Sequence, residues 1–456
     1  MTTNVGVILA GGVGNRMGAS RPKQFFKVAG KTVLEHTIDV FELNEAIDEI
    51  AIVANPFYIS EVERIVLNNP WRKVKKIIQG GEERYHSSLS AIRAYQDEKP
   101  NLIFHDAVRP LVSQRIINDV AGALEKYAAI DVAIPSADTI IETDRSFIQK
   151  IPDRSRLMRG QTPQAFRYDT IRDAYTLALA DPAFSSTDDC GVVKKYLPGQ
   201  EIFIVQGEES NMKITYKEDI FLLDKLFQIK TMDSIYLSTS IDALKNKIGV
   251  IFGASSGIGE DLVKQCAAYG IQVYGFSRSI GNVDVADRAQ VKAALQQVYE
   301  RHKKIDFVIN TSGVLYKEPL VAMEDEKIDT IINTNYLGMV NVALTSFPYL
   351  RETQGHLLFF TSSSYTRGRA FYSLYSSTKA AVVNFVQAIA EEWDNDRIKV
   401  NCINPERTKT QMRIKNFGME PEDTLLTAEQ VATTTIKSLL ADFTGQVIDV
   451  KKENNS

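Results

Sequence analysis

The sequence predicts an α/β protein of two doubly wound, mostly parallel-sheet domains. Three observations carry this. The chain has 456 residues, too many for one ordinary core. Short apolar runs alternate with helical patterns along most of its length, the mark of a parallel sheet with helices on its faces. Twice, a glycine-rich turn follows an apolar run directly: at Gly11, Gly12 and Gly14, and again from Gly253 to Gly259. Such a turn lets the backbone bend sharply and approach a ligand's phosphates.

Composition narrows the class. Hydrophobic residues make up 44%, enough for packed domains, and the formal net charge of -4 argues against a nucleic-acid or anionic-membrane binder. The three cysteines, Cys190, Cys266 and Cys402, lie far apart, without zinc or redox-pair spacing, and suit buried thiols in a reducing cytoplasm. The start, MTTNVGVILAGG, has no basic n-region or cleavage site, so no signal peptide is expected, and no apolar run approaches the ~20 residues of a membrane span.

In order, residues 5–9 read as a buried strand that runs into the first glycine turn, where Arg16 and Lys23 place two cations within reach of phosphate oxygens. Residues 49–53 read as a strand and 60–67 as a helix. Ile77 and Ile78 end another strand, Gly80 and Gly81 turn, and a helix is expected from about Ser87. Residues 102–104 form a strand delivering His105, Asp106 and Arg109 at its carboxyl end, where open α/β sheets bind ligands. A carboxylate there is a candidate Mg²⁺ ligand. Strands follow at 132–134 and 202–205. Between them lies 151–166, with Asp153, Arg154 and an expected turn, GQTPQAF. Residues 217–229 read as a last amphipathic helix. The mixed polarity after it sets the expected division: a first domain at 1–235, a linker at 236–245, a second domain at 246–456.

The second domain opens with a strand at 247–252, the turn GASSGIG and a helix from Ile258. A strand at 273–276 ends at Ser277 and Arg278. Residues 307–309 lead to NTSG, a long helix surrounds Asn335, and a strand at 357–360 ends in Ser362, Ser363 and Ser364. Tyr375 and Lys379 stand four apart, on one face of the next helix. A tyrosine with a pKa near 10 is a poor acid-base group at neutral pH, and a lysine one turn away is expected to favour its phenolate. Arg278 stands where an acidic residue would meet the ribose hydroxyls of NAD, and a guanidinium suits a 2′-phosphate instead.

GVGNRMG with PKQ, GGEERYHS, HDAVRP, DRSRLMRGQTPQAF, TDDC and NMKIT, in that order over residues 5–226, resemble the cytidylyltransferase family that makes CDP-polyols, the methylerythritol-phosphate enzymes among them. Gly11 stands where that family usually has a second Ala. The resemblance implies a Rossmann-like nucleotidyltransferase fold. CTP would be held by Gly11, Gly12 and Gly14, and its cytosine read by Gly80, Gly81 and Ser88. Arg16, Lys23 and Lys213 would neutralise triphosphate and transition state, Asp106 would hold Mg²⁺, and Arg109, Arg154 and Thr162 would face the polyol phosphate. Positioning and charge neutralisation are most of what phosphoryl chemistry asks of a protein.

GASSGIG, NTSG, Asn335, the serine strand end and YSSTK, over residues 246–450, resemble the short-chain dehydrogenase/reductase family. The resemblance implies a cofactor site of Gly253, Ser255, Gly257, Ile258, Gly259, Arg278, Asp284 (beside adenine), Asn310, Tyr375 and Lys379. The implied catalytic set is Asn335, Ser362, Tyr375 and Lys379, with Ser363 the alternative to Ser362. Pro405-Glu406 replaces the family's usual Pro-Gly, which leaves the loop beside the nicotinamide open. Joined, the halves resemble bifunctional enzymes of capsular polysaccharide synthesis. These use NADPH to reduce D-ribulose 5-phosphate to D-ribitol 5-phosphate, and then CTP to make CDP-ribitol. A homo-oligomer, dimer or tetramer, is implied as well. Xylulose 5-phosphate as substrate, and methylerythritol phosphate as acceptor with an accessory second domain, stay open at this point.

Overall fold

The computed structural model describes residues 2–12, 21–81, 83–216, 218–237 and 240–452. Gly14 and Arg16 lie outside the described residues. The chain divides into two compact units, 1–224 and 225–456. The division falls within one helix, Glu218–Leu237, upstream of the expected 236–245 linker. That stretch contains no Gly or Pro to stop a helix, so the helix runs on through the change in polarity.

In the first unit, β1 (Asn4–Ala10) is followed by a small hairpin of β2 (Lys27–Val28) and β3 (Lys31–Thr32). Then come β4 (Glu49–Ala54), β5 (Val74–Gln79), β6 (Asn101–Asp106) and β7 (Ala129–Pro135). An exposed hairpin, β8 (Glu142–Asp144) and β9 (Phe147–Lys150), precedes β10 (Met158–Arg167) and β11 (Phe203–Gln206). The main sheet runs β11-β7-β10-β6-β1-β4-β5. Successive residues of β1 feed opposite cores: Val5, Val7 and Leu9 on one face, Ile8 and Ala10 on the other. That two-sided burial is why β1 reads as an unbroken apolar run.

Two expectations need correction. GQTPQAF is no turn: it belongs to β10, which lies antiparallel between β6 and β7 in mid-sheet. Its polar residues hid it, and Pro163 is tolerated because the ladder register shifts between Gln161 and Ala165. The helix expected from Ser87 begins at Arg84, because Glu83 caps it and accepts from the third helical amide.

In the second unit, β12 (Ile248–Phe252), β13 (Gln272–Phe276), β14 (Phe307–Asn310), β15 (His356–Phe360), β16 (Lys399–Pro405) and β17 (Val447–Val450) form one wholly parallel sheet, ordered β13-β12-β14-β15-β16-β17. Val250 and Phe252 pack into the core on one face, and Ile251 into that on the other. In each unit the strand order reverses beside the strand that carries the glycine turn: at β1/β6 and at β12/β14. Such switch points leave a crevice at the strands' carboxyl ends.

Candidate active sites

At the first switch point, Gln24 donates to the carbonyls of Ala10 and Gly12, 3.0 Å each, and so fixes the start of the glycine loop. Beside it in the short helix Lys23–Phe25, Lys23 donates from Nζ to the Ile214 carbonyl. Gly11 and Gly80 close on Ser87, whose Oγ would lie within 2.8 Å of a Cβ at either glycine. Gly81 packs as closely on His86, and Ser88 is fully buried in the same helix.

β6 ends in His105 and Asp106. The Asp106 carboxylate gathers three cations: Lys213 Nζ at 2.9 Å, Arg109 Nε at 3.4 Å and Arg84 Nε at 3.9 Å. Burial alone would push this carboxyl up; Lys213, Arg84 and Arg109 outweigh burial and hold it well below the usual carboxylate range. Thr162, from β10, accepts at Oγ1 from the Asp106 amide, 3.1 Å, so its own proton points to His105 Nδ1 at 3.0 Å. His105 is then the neutral Nε2–H tautomer and donates to the Arg109 carbonyl at 3.1 Å. Burial pushes the imidazole down to about 4, which agrees with that assignment. His105 is a structural hydrogen-bonder rather than a base, because both ring nitrogens are engaged. Arg109 Nη1 reaches the Asn211 carbonyl at 2.7 Å, and Asn211 donates back to the Thr162 carbonyl at 2.8 Å. Thus HDAVRP, β10 and NMKIT lock into one polar floor.

Asp106, Arg109, Thr162 and Lys213 are therefore brought together, with Lys23 joined through Ile214. Thr162 is 5% exposed and spends its hydroxyl on Asp106 and His105. Arg154 stands apart in an exposed turn capped by Asp153, and donates to the Ala137 carbonyl at 3.1 Å. Arg84 was missed. It bridges Asp106 and the buried Asp189, 2.6 Å from Nη1, and its Nη2 is buried with no hydrogen-bond partner among the described residues. Asp189 also accepts from Tyr175 at 2.7 Å.

In the second unit, one cavity of about 500 Å³ opens at the switch point. Gly253, Ser255, Gly257, Ile258, Gly259, Arg278, Asp284, Ser362, Ser363, Tyr375 and Lys379 all line it. Its floor needs glycine. Gly253 has φ +81°, and a Cβ there would meet the Ser312 amide at 2.7 Å; a Cβ at Gly259 would meet the Gly253 carbonyl at 2.3 Å. A cradle that admits no Cβ, opening on a cavity of this size, fits a dinucleotide. Asn310 and Asn335 sit behind the wall. Asn310 Oδ1 accepts from Ser312, 3.1 Å, and Asn335, in the wide (π) turn Asn333–Leu337, clamps Val314 at both its amide, 2.8 Å, and its carbonyl, 2.9 Å.

Tyr375 and Lys379 share a face of the helix Ser373–Glu392. Lys379 donates to the Phe360 carbonyl at 2.8 Å, and its Nζ lies 5.6 Å from the Tyr375 ring centre. Burial pushes Lys379 down to about 8 and Tyr375 up to about 12. Burial outweighs the Ser362 hydrogen bond, the main downward influence on Tyr375, and the pull expected of Lys379 is not among the influences on this hydroxyl. The tyrosine stays protonated at neutral pH, the state a proton donor requires. Pro405-Glu406 continues the strand: the Glu406 amide donates to the Val450 carbonyl at 2.9 Å, and its carboxylate accepts from the Lys452 amide. No left-handed φ arises there that would call for glycine.

The family model described as 2-C-methyl-D-erythritol 4-phosphate cytidylyltransferase matches residues 5–228, and that described as short chain dehydrogenase matches residues 279–421. A bifunctional ribulose 5-phosphate reductase/CDP-ribitol pyrophosphorylase of Haemophilus influenzae is 50% identical over 454 residues, 98% of this chain and 95% of that protein. A 2-C-methyl-D-erythritol 4-phosphate cytidylyltransferase of Thermobifida fusca is 43% identical over 48% of this chain and 92% of its own length. A ribitol-5-phosphate cytidylyltransferase of Lactiplantibacillus plantarum is 35% identical over 48% of this chain and 97% of its own.

Proposed function

The chain belongs to the bifunctional ribulose 5-phosphate reductase/CDP-ribitol pyrophosphorylase family, and from that premise we propose how its two sites divide the work. It is a bifunctional enzyme, a reductase with a nicotinamide cofactor joined to a cytidylyltransferase. The second unit reduces D-ribulose 5-phosphate to D-ribitol 5-phosphate with NADPH. The first joins that product to CTP, with Mg²⁺, giving CDP-ribitol and pyrophosphate for surface polysaccharide synthesis. The supporting observation is that Tyr375, Lys379 and Ser362 line one cavity in a chain that also gathers cations around Asp106. A fused reductase has work only if its product is the acceptor, and methylerythritol phosphate needs no such reduction. Cytoplasmic function agrees with three buried, unpaired cysteines. No helix among the described residues is long and apolar enough to cross a membrane. Assembly as a dimer or tetramer rests on the family resemblance.

In the second unit, Ser362 holds the C2 carbonyl oxygen and Tyr375 gives it a proton as C2 is reduced. NADPH, when bound, supplies the hydride. Lys379 and Asn335 flank Gly313, a Cβ on which would lie 3.6 Å from Lys379 Nζ and Asn335 Oδ1; the proton Tyr375 gives up is replaced from solvent by a water relay that passes Lys379 and that Asn335 completes. In the first unit the ribitol phosphate oxygen attacks the α-phosphorus and pyrophosphate leaves, while Lys23, Lys213 and Arg16 neutralise the charge. Among the described residues no three acidic, His or Cys side chains cluster as a ready-made metal cage. A lone, strongly acidic carboxylate, Asp106, fits a magnesium ion shared with phosphates, and that ion would add positive charge at the triphosphate.

The reading is tested by incubating the protein with ribulose 5-phosphate, NADPH, CTP and Mg²⁺ and weighing the product. CDP-ribitol, formed only when all four are present, is the expected outcome; NADPH left unoxidised, together with CDP-methylerythritol formed from methylerythritol phosphate, would contradict it.

NADPH preference is assigned to Arg278, which lines the cavity after β13. A charge-assisted contact to the 2′-phosphate is worth about 1.5–3 kcal/mol, roughly ten- to a hundredfold in affinity. Arg278→Ala is expected to raise the Michaelis constant for NADPH by that factor and leave NADH almost untouched. Equal effects on both cofactors would place the 2′-phosphate elsewhere.

A further inference from the structure

One wall of the second cavity is built by residues 405–417, where a Cβ at Gly257 of the glycine turn would meet Thr410 at 3.3 Å, and the functions assigned above leave its arginines unused. Arg407, Arg413 and Phe417 line the cavity there, as do Tyr372 and Tyr375. Aromatic contacts tie this wall to the proton donor. Tyr372 packs edge-on against Tyr375, with ring centres 6.3 Å apart, and against Phe417 at 5.7 Å. Two cations sit on the Phe417 ring: the Arg413 guanidinium at 4.6 Å and Lys317 Nζ at 4.6 Å. Arg413 is held rigid by Glu420, which accepts from Nε at 2.6 Å and from Nη2 at 2.9 Å; Nη1 takes part in neither bond. Arg407 stands 3.8 Å from the same carboxylate. Glu420 therefore faces three cations, Arg413, Arg407 and Lys317; with the cavity-lining Glu406 the corner sets three positive charges against two negative ones.

We propose that Arg413, supported by Arg407, binds the phosphate of the sugar substrate and so selects phosphorylated over unphosphorylated ketoses. The inference rests on the reading of the second unit as a ketose-phosphate reductase. A guanidinium with two nitrogens pinned by a carboxylate is pre-organised for a phosphate oxygen, because little rotamer freedom is left to lose. A short keto-sugar with its carbonyl at Tyr375 and Ser362 has its phosphate end within the same cavity, against this wall. The cofactor's own phosphates are assigned elsewhere, the pyrophosphate to the glycine turn and the 2′-phosphate to Arg278 after β13.

The test compares D-ribulose 5-phosphate with D-ribulose as substrates of the full chain, as wild type, Arg413→Ala and Arg407→Ala, with NADPH binding followed by fluorescence. For Arg413→Ala, kcat/KM for ribulose 5-phosphate is expected to fall about 10- to 100-fold. D-Ribulose turnover and NADPH binding stay as in wild type, and competitive inhibition by inorganic phosphate weakens. Arg407→Ala should show a smaller loss of the same kind. An equal loss on both ketoses, or a change confined to NADPH affinity, would overturn the assignment. If Arg413→Ala no longer binds NADPH, Arg407→Ala decides, and an unchanged preference for the phosphorylated ketose in that variant overturns it. A wild-type protein that oxidises NADPH with no keto-sugar phosphate would overturn the ketose-phosphate reading and this inference with it.

Discussion

Tyr375→Phe will lower NADPH-dependent reduction of ribulose 5-phosphate by roughly 10²–10⁴-fold, the usual contribution of a positioned proton donor. CDP-ribitol formation from added ribitol 5-phosphate will be unchanged. The ring survives the substitution, so its edge-on contact with Tyr372 and its place in the cavity wall are kept. Only the hydroxyl goes. Burial pushes that hydroxyl up to about 12, so it is protonated at neutral pH, as the proposed delivery to the C2 oxygen requires. Reduction in the variant should show no pH optimum set by this group. Reduction at near wild-type rates would remove Tyr375 from the reaction.

Lys23→Ala will do the converse, cutting cytidylyl transfer by roughly 10²–10³-fold, the range for losing one pre-organised donor to developing charge, while NADPH oxidation continues. Lys23 is fixed from two sides. Gln24 next to it ties down the Ala10 and Gly12 carbonyls, and its own Nζ reaches the Ile214 carbonyl next to Lys213. On the proposed reading, a cation held at the junction of the glycine loop and the 211–215 segment would meet the triphosphate without reorganising. Rates of CDP-ribitol release with ribitol 5-phosphate supplied directly measure this, and an unchanged rate would exclude the role.

Much of the fold was legible because its strands are buried on both faces: the apolar run that forms β1 could belong to nothing but a central strand or a buried helix, and the glycine turn decided between them. The i, i+4 pair of Tyr375 and Lys379 was legible for a similar reason, since one helical turn fixes it. β10 was not. Gln161, Thr162 and Gln164 look like a polar turn, yet each is buried, with bonds to Glu208, His105 and Asp131 respectively that only the finished sheet supplies. Local pattern fails there because those positions serve the site more than the strand. Arg84 was hidden by distance: its partner Asp189 is 105 residues away, and no local spacing encodes the pair. Arg413 was not singled out in the sequence, and its place in the cavity wall comes from Glu420 and Phe417 closing around it, with Tyr372 against Phe417.

The antiparallel strand has a consequence for how the chain is made. β7 pairs only with β10 and β11, both of which follow it in the chain. While the protein is being synthesised, β1, β4, β5 and β6 can pair among themselves as they emerge, but β7 leaves the ribosome with neither neighbour yet available. The exposed hairpin of β8 and β9 lengthens that interval. At about 5–20 residues per second, an apolar strand stays unpartnered for a time on the order of seconds before Arg167 completes the ladder. Residues 129–135, like β1 before β4 emerges, thus pass through an unpaired interval in the nascent first unit, and every residue added to the hairpin prolongs it.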